Sequence, residues 1–225
     1  MVFMRVTLLA MAAAFMIASP ARACDADDCA SRAGLSCPSM QISVCPGGDY
    51  EMIKNGCGGT GDYIWVEIRG CTEYPIPIPG IPATDFWINA CDQARQLALC
   101  ATPIIADSIT GANGRTTFSG VLRAGGCALS GGIWIAVQGK VIKGPYPHCI
   151  SNICLPIVIK SQDMTGAGGK PDGIVNLSDL IPFGTSYNKN QGAPGYSACC
   201  DYNDDNRCNL SDYAYFGTHY QHRCQ

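Results

Sequence analysis

The last third of the chain contains one twelve-residue segment twice. Residues 176–187 read NLSDLIPFGTSY and residues 209–220 read NLSDYAYFGTHY, so eight of the twelve positions are identical at an offset of 33 residues. Each copy follows a stretch rich in aspartate, and residues 161–225 contain seven Asp and no Glu. The duplication constrains the fold, because each half should form the same local structure.

The second aspartate-rich stretch has the ligand spacing of a calcium loop. Oxygen-bearing side chains at positions 1, 3, 5, 9 and 12 of a twelve-residue loop, with a backbone carbonyl at position 7, surround Ca²⁺. Asn206 stands at position 6, where Gly is usual, and is acceptable there because Asn adopts left-handed φ and ψ. We expect a helix over Tyr213–Tyr220. The predicted ligands are Asp201, Asn203, Asp205, Arg207 through its carbonyl, Asn209 and Asp212.

The first stretch departs from this spacing. Counting back from position 12 puts Lys170 and Gly168 at positions 3 and 1, and neither can bind calcium through its side chain. An insertion restores the pattern if residues 166–171 bulge out of the loop. We expect the first site to be weaker or distorted, and its occupancy is left open. Its predicted ligands are Asp163, Thr165, Asp172, Asn176 and Asp179.

The paired repeats resemble the dockerin module, in which two Asp/Asn loops are each followed by one helix. The resemblance covers residues 161–224, within a domain assigned to residues 161–225, and implies a small all-α module that binds Ca²⁺ and docks onto a cohesin-like domain. It also implies that loop positions 10 and 11 and the following helix face the partner. The alternative is that these residues only cap the helices and pack the two halves. They are Leu177, Ser178, Leu180, Ile181, Leu210, Ser211, Tyr213 and Tyr215.

The first residues indicate export. Arg5, an apolar run over residues 8–17 and the sequence Ala-Arg-Ala at 21–23 fit a signal peptide over residues 1–23. Cleavage before Cys24 by lipoprotein processing is the alternative, although Ala21 and Arg22 fit a lipobox poorly. We therefore expect a secreted, extracellular or cell-surface protein without a transmembrane span.

All fifteen cysteines lie at or after residue 24, and an exported chain of this kind forms disulfides. Eleven fall in residues 24–154 and four in residues 199–224. The four could close two bridges within the tail, with Cys208 bonded to Cys199, Cys200 or Cys224. The odd cysteine would then belong to the first region.

The formal charge of −3 and the lack of a Lys/Arg cluster argue against nucleic acid as a partner.

Residues 24–160 read as short strands separated by Gly and Pro turns. Alternation in residues 62–69 puts Ile64, Val66 and Ile68 on one face and Tyr63, Trp65 and Glu67 on the other. Four prolines in residues 74–82 exclude a helix or a central strand there. Residues 92–99 are the one helix-compatible stretch, although they could also form a loop. We predict an antiparallel, Ig-like β-sandwich. Its other strands are predicted at 40–44, 85–89, 115–119, 132–138, 141–142 and 155–160.

Two short motifs in this region carry a weaker resemblance. The sequences IPGIPATDFW at 78–87 and TGANGRTTFS at 110–119 resemble the bacterial Ig-like repeats of invasin-type surface proteins. Assigned to residues 62–160, the resemblance implies a sandwich that acts as a spacer, adhesin or assembly module.

Catalysis is not expected, because no nucleophile elbow, metalloprotease helix or dinucleotide motif occurs. His219 and His222 are spaced to share a metal but have no third ligand nearby in the sequence. The leading hypothesis is a non-catalytic docking protein. One alternative is a structural subunit that uses the calcium module to bind a neighbouring copy of the same protein in a filament or surface assembly. Another is a carbohydrate-binding or hydrolytic front domain with Trp65, Trp87 and Trp134 as sugar platforms.

Overall fold

The computed structural model describes residues 30–48, 53, 56–59, 61–70, 76–91, 97–100, 104–143, 154–166 and 169–225. The predicted signal peptide, Cys24 and residues 92–96 of the helix-compatible stretch lie outside these ranges. Within the described ranges, no helix combines the length and the apolarity needed to cross a bilayer.

Twelve strands form the front part of the described chain. They assemble into three sheets with the strand orders β1-β3-β8, β11-β10-β6 and β2-β12-β9-β7, and into a small pair β4-β5. The strands are β1 (Arg32–Leu35), β2 (Gln41–Val44), β3 (Ile64–Glu67), β4 (Arg69–Gly70), β5 (Ile76–Pro77), β6 (Phe86–Ala90), β7 (Leu97–Leu99), β8 (Arg115–Phe118), β9 (Ala124–Ala128), β10 (Ile133–Val137), β11 (Lys140–Lys143) and β12 (Val158–Ser161).

One apolar core lies between these sheets. The alternation in β3 produces the predicted faces, because Ile64, Val66 and Ile68 are fully buried in this core. The rings of Phe86 and Phe118 meet edge to face, with centroids 6.5 Å apart. All three larger sheets contribute side chains to the same cluster, so the front part is a layered β structure as expected.

The predicted purely antiparallel arrangement is wrong in one sheet. Strand β12 pairs in parallel with β2, with Ile159 opposite Ile42, and pairs antiparallel with β9 on its other side. Residue patterns indicate where these two strands lie but not the direction in which they pair, because β2 and β12 are far apart in the sequence. Strand β9 has the sequence AGGCA, is buried on both faces and shows no alternation, so it was not predicted. Leu97–Leu99, assigned to a helix or loop, is a strand beside β9.

Glu67 is buried in β3 at the centre of an arginine cluster. Its carboxylate accepts hydrogen bonds from Nε of Arg115 at 2.8 Å and from Arg32 at 3.3 Å, and it pairs with Arg69. Burial alone would raise the pKa of Glu67, but the bonds from Arg115 and Arg69 outweigh it and lower the pKa to about 2. The guanidinium of Arg115 also lies 5.4 Å from the ring centroid of Trp65, so this half-buried tryptophan is part of a structural cluster.

The tail is not the all-α module that was predicted. A 3-10 turn at Leu177–Asp179 leads into helix α1 (Leu180–Ser186), and helix α2 (Leu210–Thr218) follows the second loop. Between them, β13 (Lys189–Asn190) and β14 (Arg207–Cys208) pair antiparallel and join the two repeats. A second apolar cluster connects the helices through the rings of Phe183 and Phe216, whose centroids are 6.3 Å apart.

Helix α2 starts at Leu210, three residues before the predicted start. Asn209 is the N-cap, and its side chain accepts a hydrogen bond from the amide of Ser211 at 2.7 Å. The carboxylate of Asp212 accepts in return from the amide of Asn209 at 2.9 Å, which completes a capping box.

The tail is bonded to the front sheets and not to itself. Cys199 forms a disulfide with Cys127, and Cys224 forms one with Cys100. The predicted pair of bridges within the tail is therefore wrong, and Cys208 is a buried thiol together with Cys200. The predicted boundary at residues 160/161 falls inside β12. Two further disulfides join Cys37 to Cys57 and Cys91 to Cys154.

Candidate calcium centre

The second loop folds around the carboxylate of Asp201, which is 1% exposed. The amide of Asp205 donates to its Oδ1 at 3.1 Å, and the amide of Asn206 donates to its Oδ2 at 3.0 Å. Asn206 has a φ of +66°, which confirms that a left-handed residue is needed at this position. The sequence thus turns the loop around its first predicted ligand.

Asp212 closes the same loop from its other end. It is fully buried, and its Oδ1 accepts from the amides of Tyr202 at 2.7 Å and Asn203 at 3.4 Å. Its Oδ2 accepts the hydrogen bond from the amide of Asn209 in the N-terminal cap of helix α2. The last predicted ligand therefore fixes both the loop and the start of the helix.

Three carboxylates converge inside this loop. Oxygens of Asp201, Asp205 and Asp212 lie within 4.8 Å of one another. Within the described ranges, none of the three forms an ion pair with a Lys or Arg side chain. Like charges packed this closely repel one another, and an oxygen-seeking cation relieves the repulsion. The donor set fits Ca²⁺.

The two predicted asparagine ligands both lie at Asp205. Nδ2 of Asn203 and Nδ2 of Asn209 each contact Oδ2 of Asp205 at 3.2 Å. The oxygen of Asn209 is occupied by the helix cap, so a water-mediated role suits this residue better than direct ligation. The amide of Arg207 donates to Oδ1 of Asp205 at 2.9 Å, which leaves the Arg207 carbonyl as its predicted ligand group.

The first loop repeats these hydrogen bonds when the insertion is allowed. The amides of Asp172 and Gly173 donate to the carboxylate of Asp163 at 3.2 and 2.8 Å. They correspond to Asp205 and Asn206 in the second loop, but here nine residues separate the carboxylate from the first donor instead of four. Gly173 has a φ of +82°, in agreement with this alignment.

Asp179 in the first loop accepts the same set of hydrogen bonds as Asp212 in the second loop. Its Oδ1 accepts from the amides of Met164 at 2.7 Å and Thr165 at 2.8 Å, and its Oδ2 accepts from the amide of Asn176 at 2.8 Å. Asn176 caps the following turn through a 2.8 Å bond from the amide of Ser178. All five predicted residues of the first loop therefore take part in its hydrogen bonds.

The two loops differ in how closely their acids converge. Asp163, Asp172 and Asp179 do not form a set of carboxylates within 4.8 Å, whereas the second-loop acids do. Burial raises the pKa of Asp163 to about 7, and the charge of Asp179 adds to the rise. Burial also raises the pKa of Asp179. Burial therefore disfavours the ionised forms of Asp163 and Asp179 when no cation is bound.

The front sheets hold both loops in place. Nζ of Lys160 in β12 donates to the carbonyl of Asp201 at 2.6 Å and to Oδ1 of Asp204 at 3.0 Å. Gln41 in β2 donates to the other oxygen of Asp204 at 2.6 Å. Gly125 in β9 lies against the first loop, because a Cβ there would approach Oδ2 of Asp163 to 2.0 Å. Sequence reasoning did not identify these contacts, since nothing local signals which strand lies beside the loops.

The predicted partner-facing residues separate into two groups. Leu177, Ile181 and Leu210 are 67, 69 and 67% exposed, and Tyr213, Tyr215 and Ser211 are also exposed. Leu180 packs against the apolar cluster of the tail, and the hydroxyl of Ser178 lies 2.7 Å from Oδ1 of Asn176. The residues of the first group are exposed to solvent, while Leu180 and Ser178 serve the internal structure.

No protein-family model and no curated protein matches this sequence. Among solved structures, an N-terminal interface mutant of a type II cohesin–X-dockerin complex from Acetivibrio cellulolyticus is 16% identical, with a TM-score of 0.28, covering 62% of this chain and 96% of that chain. A C-terminal interface mutant of the same kind of complex is 14% identical, with a TM-score of 0.30, covering 86% and 97%. Likeness at this level is too slight to assign a fold family or a function.

Proposed function

We propose that this protein is a secreted, non-catalytic docking protein whose tail binds Ca²⁺ and thereby presents an apolar surface to a cohesin-like partner. The observation that carries the proposal is the position of Leu177 and Leu210. These residues occupy equivalent places in the two repeats, immediately after the N-caps Asn176 and Asn209, and both are two-thirds exposed.

Calcium would act by stabilising the loops and the helix starts that carry these leucines. Asp212 contacts the second loop through Tyr202 and Asn203 and also caps the helix that begins with Leu210. Neutralising the acids of the loop with a cation stabilises this arrangement, so the exposed leucine is held in one orientation. The same coupling runs from Asp179 to Leu177 in the first repeat, with a weaker calcium site.

A β-sandwich partner can accept these exposed side chains. Exposed side chains at the start of a helix project from a short, rigid element and can lie on the flat face of a sheet. Large apolar groups at two-thirds exposure are typical of interaction sites when they occur together. The four described disulfides support an oxidising, extracellular setting.

The test is capture on an immobilised type II cohesin domain. We expect the wild-type protein to be retained in calcium and released by EDTA. The double variant Leu177→Ser, Leu210→Ser should be retained at least about tenfold less, because hot-spot truncations cost about 2 kcal/mol or more. The matched control is Ile109→Ser, which removes an isoleucine of the front part that is 57% exposed.

Size-exclusion chromatography separates the proposal from its alternative. Calcium-dependent polymers of the purified protein that the leucine variant abolishes would replace the cohesin-like partner with a second copy of this chain. Retention that is unaffected by EDTA and by the leucine substitutions would refute calcium-dependent docking altogether.

A further inference from the structure

The structure brings a third potential metal ligand to the histidine pair of the tail. Nδ1 of His219 and Nδ1 of His222 lie 3.3 Å apart, and Sγ of Cys45 lies 3.5 Å from Nδ1 of His222. Ligand atoms of all three residues lie within 4.8 Å of one another. Cys45 is separated from His222 by 177 residues in the sequence, so no local motif could have revealed the cluster.

We propose that Cys45, His219 and His222 form a site for a zinc-type transition-metal ion. A thiolate and two imidazoles suit Zn²⁺, which bonds nitrogen at about 2.0–2.1 Å and thiolate sulfur at about 2.3 Å. Tetrahedral bonds of these lengths place two nitrogens about 3.4 Å apart and a nitrogen and a sulfur about 3.6 Å apart. The observed separations of 3.3 and 3.5 Å match both edges.

Each ligand is positioned by a different part of the fold. Cys45 directly follows β2 and is fully buried, and His219 is the C-cap of helix α2 and is 5% exposed. A helix C-terminus favours a nearby cation. The carbonyl of His222 accepts from the amide of Val175 at 2.9 Å, and the disulfide of Cys224 to Cys100 holds the chain two residues later.

The backbone of residue 47 leaves room for the His222 ring. A Cβ on Gly47 would lie 3.1 Å from Nδ1 of His222 and 3.0 Å from its Cγ. The absence of a side chain there lets the chain that carries Cys45 run close to the imidazole. Metal binding would release the thiol proton of Cys45 and join the front sheets to the end of the tail. This site uses nitrogen and sulfur, and is therefore chemically distinct from the oxygen-lined calcium loops.

The experiment is a Co²⁺ titration of the disulfide-intact mature protein in saturating calcium, which keeps the oxygen loops filled. We expect one equivalent of Co²⁺ to give a thiolate-to-cobalt charge-transfer band and the intense visible bands of tetrahedral cobalt, both removed by Zn²⁺. Cys45→Ser should abolish the charge-transfer band, and His222→Gln should weaken binding by more than the roughly 10–100-fold that loss of a supporting contact costs. Gly47→Ala, which only displaces the ring, should weaken binding within that range.

The thiols of Cys200 and Cys208 supply the matched control. The double variant Cys200→Ala, Cys208→Ala should keep the full cobalt spectrum. A charge-transfer band that disappears in this control but persists in Cys45→Ser would overturn the proposal, because the thiolate would then be elsewhere. Failure of the wild-type protein to bind stoichiometric Co²⁺ or Zn²⁺ would also overturn it and would leave the three residues as a hydrogen-bonded cluster.

Discussion

Replacing Asp212 by Asn separates the structural role of this residue from its proposed role as a calcium ligand. The carboxylate accepts bonds from the amides of Tyr202, Asn203 and Asn209 at 2.7, 3.4 and 2.9 Å and is fully buried. The substitution keeps the shape of the side chain but turns one oxygen into an NH₂ group. If Oδ1 is kept, that group faces the amide of Asn209, and a donor then meets a donor.

The expected loss of unfolding free energy in Asp212→Asn has two parts. Without calcium, one charge-assisted hydrogen bond disappears, and the free energy of unfolding should fall by about 1.5–3 kcal/mol. With free calcium at a hundredfold excess over the Kd, the wild-type protein gains about 2.7 kcal/mol per site that binds only the folded state. Asp212→Asn should lose most of the increment that belongs to the second loop, so the variant is further from the wild type in calcium than in EDTA.

Four urea unfolding curves measure both parts: wild type and variant, each in calcium and in EDTA with disulfides intact. Asp107→Asn is the matched control, since Asp107 also accepts bonds from the hydroxyl of Thr117 at 2.7 Å and the amide of Ser119 at 3.0 Å but lies in the front part. Its calcium increment should equal that of the wild type. An unchanged calcium increment in Asp212→Asn would refute the assignment of calcium to the second loop.

Three further changes test other parts of the structure. The pKa of Glu67 is lowered to about 2, so its ionised form stabilises the fold above about pH 4.5, and this contribution is lost as the pH falls towards 2. Glu67→Gln should therefore lower the free energy of unfolding, measured in urea, by about 2–3 kcal/mol at pH 7 and by little at pH 2. Gly125→Ala would place a Cβ 2.7 Å from Pro171 and closer still to Asp163, so it should destabilise the protein by about 1–3 kcal/mol and weaken calcium binding at the first loop only. Burial raises the pKa of Cys200 to about 12, so roughly one thiol in 10⁴ is ionised at pH 8 and iodoacetamide should label it slowly until urea unfolds the tail, as mass spectrometry would show.

Local rules predicted the parts of this protein that depend on neighbouring residues. Alternation identified the buried face of β3, and the ligand spacing identified a loop whose sixth residue, Asn206, is left-handed. The insertion in the first loop could be placed before Asp172 because the hydrogen-bonding residues of both loops are present in the same order.

Long-range pairing could not be predicted in the same way. The parallel contact of β12 with β2, and the disulfide from Cys127 to Cys199, join segments that carry no mutual signal in a single sequence. Strand β9 was missed because its glycines and alanines pack from both sides and show no alternation. The proximity of Cys45 to His222 is of the same kind, since it exists only once the tail has packed against the front sheets.

Calcium titration of the mature protein by isothermal calorimetry tests the central claim most directly. We predict a tight binding event from the second loop, lost in Asp201→Asn, and a weaker event from the first loop that is lost in Asp163→Asn and retained in Asp201→Asn. Magnesium at the same concentration should give a much smaller signal, because Mg²⁺ requires a stricter octahedral geometry. A titration without calcium heat, or one that both substitutions leave unchanged, would contradict the account.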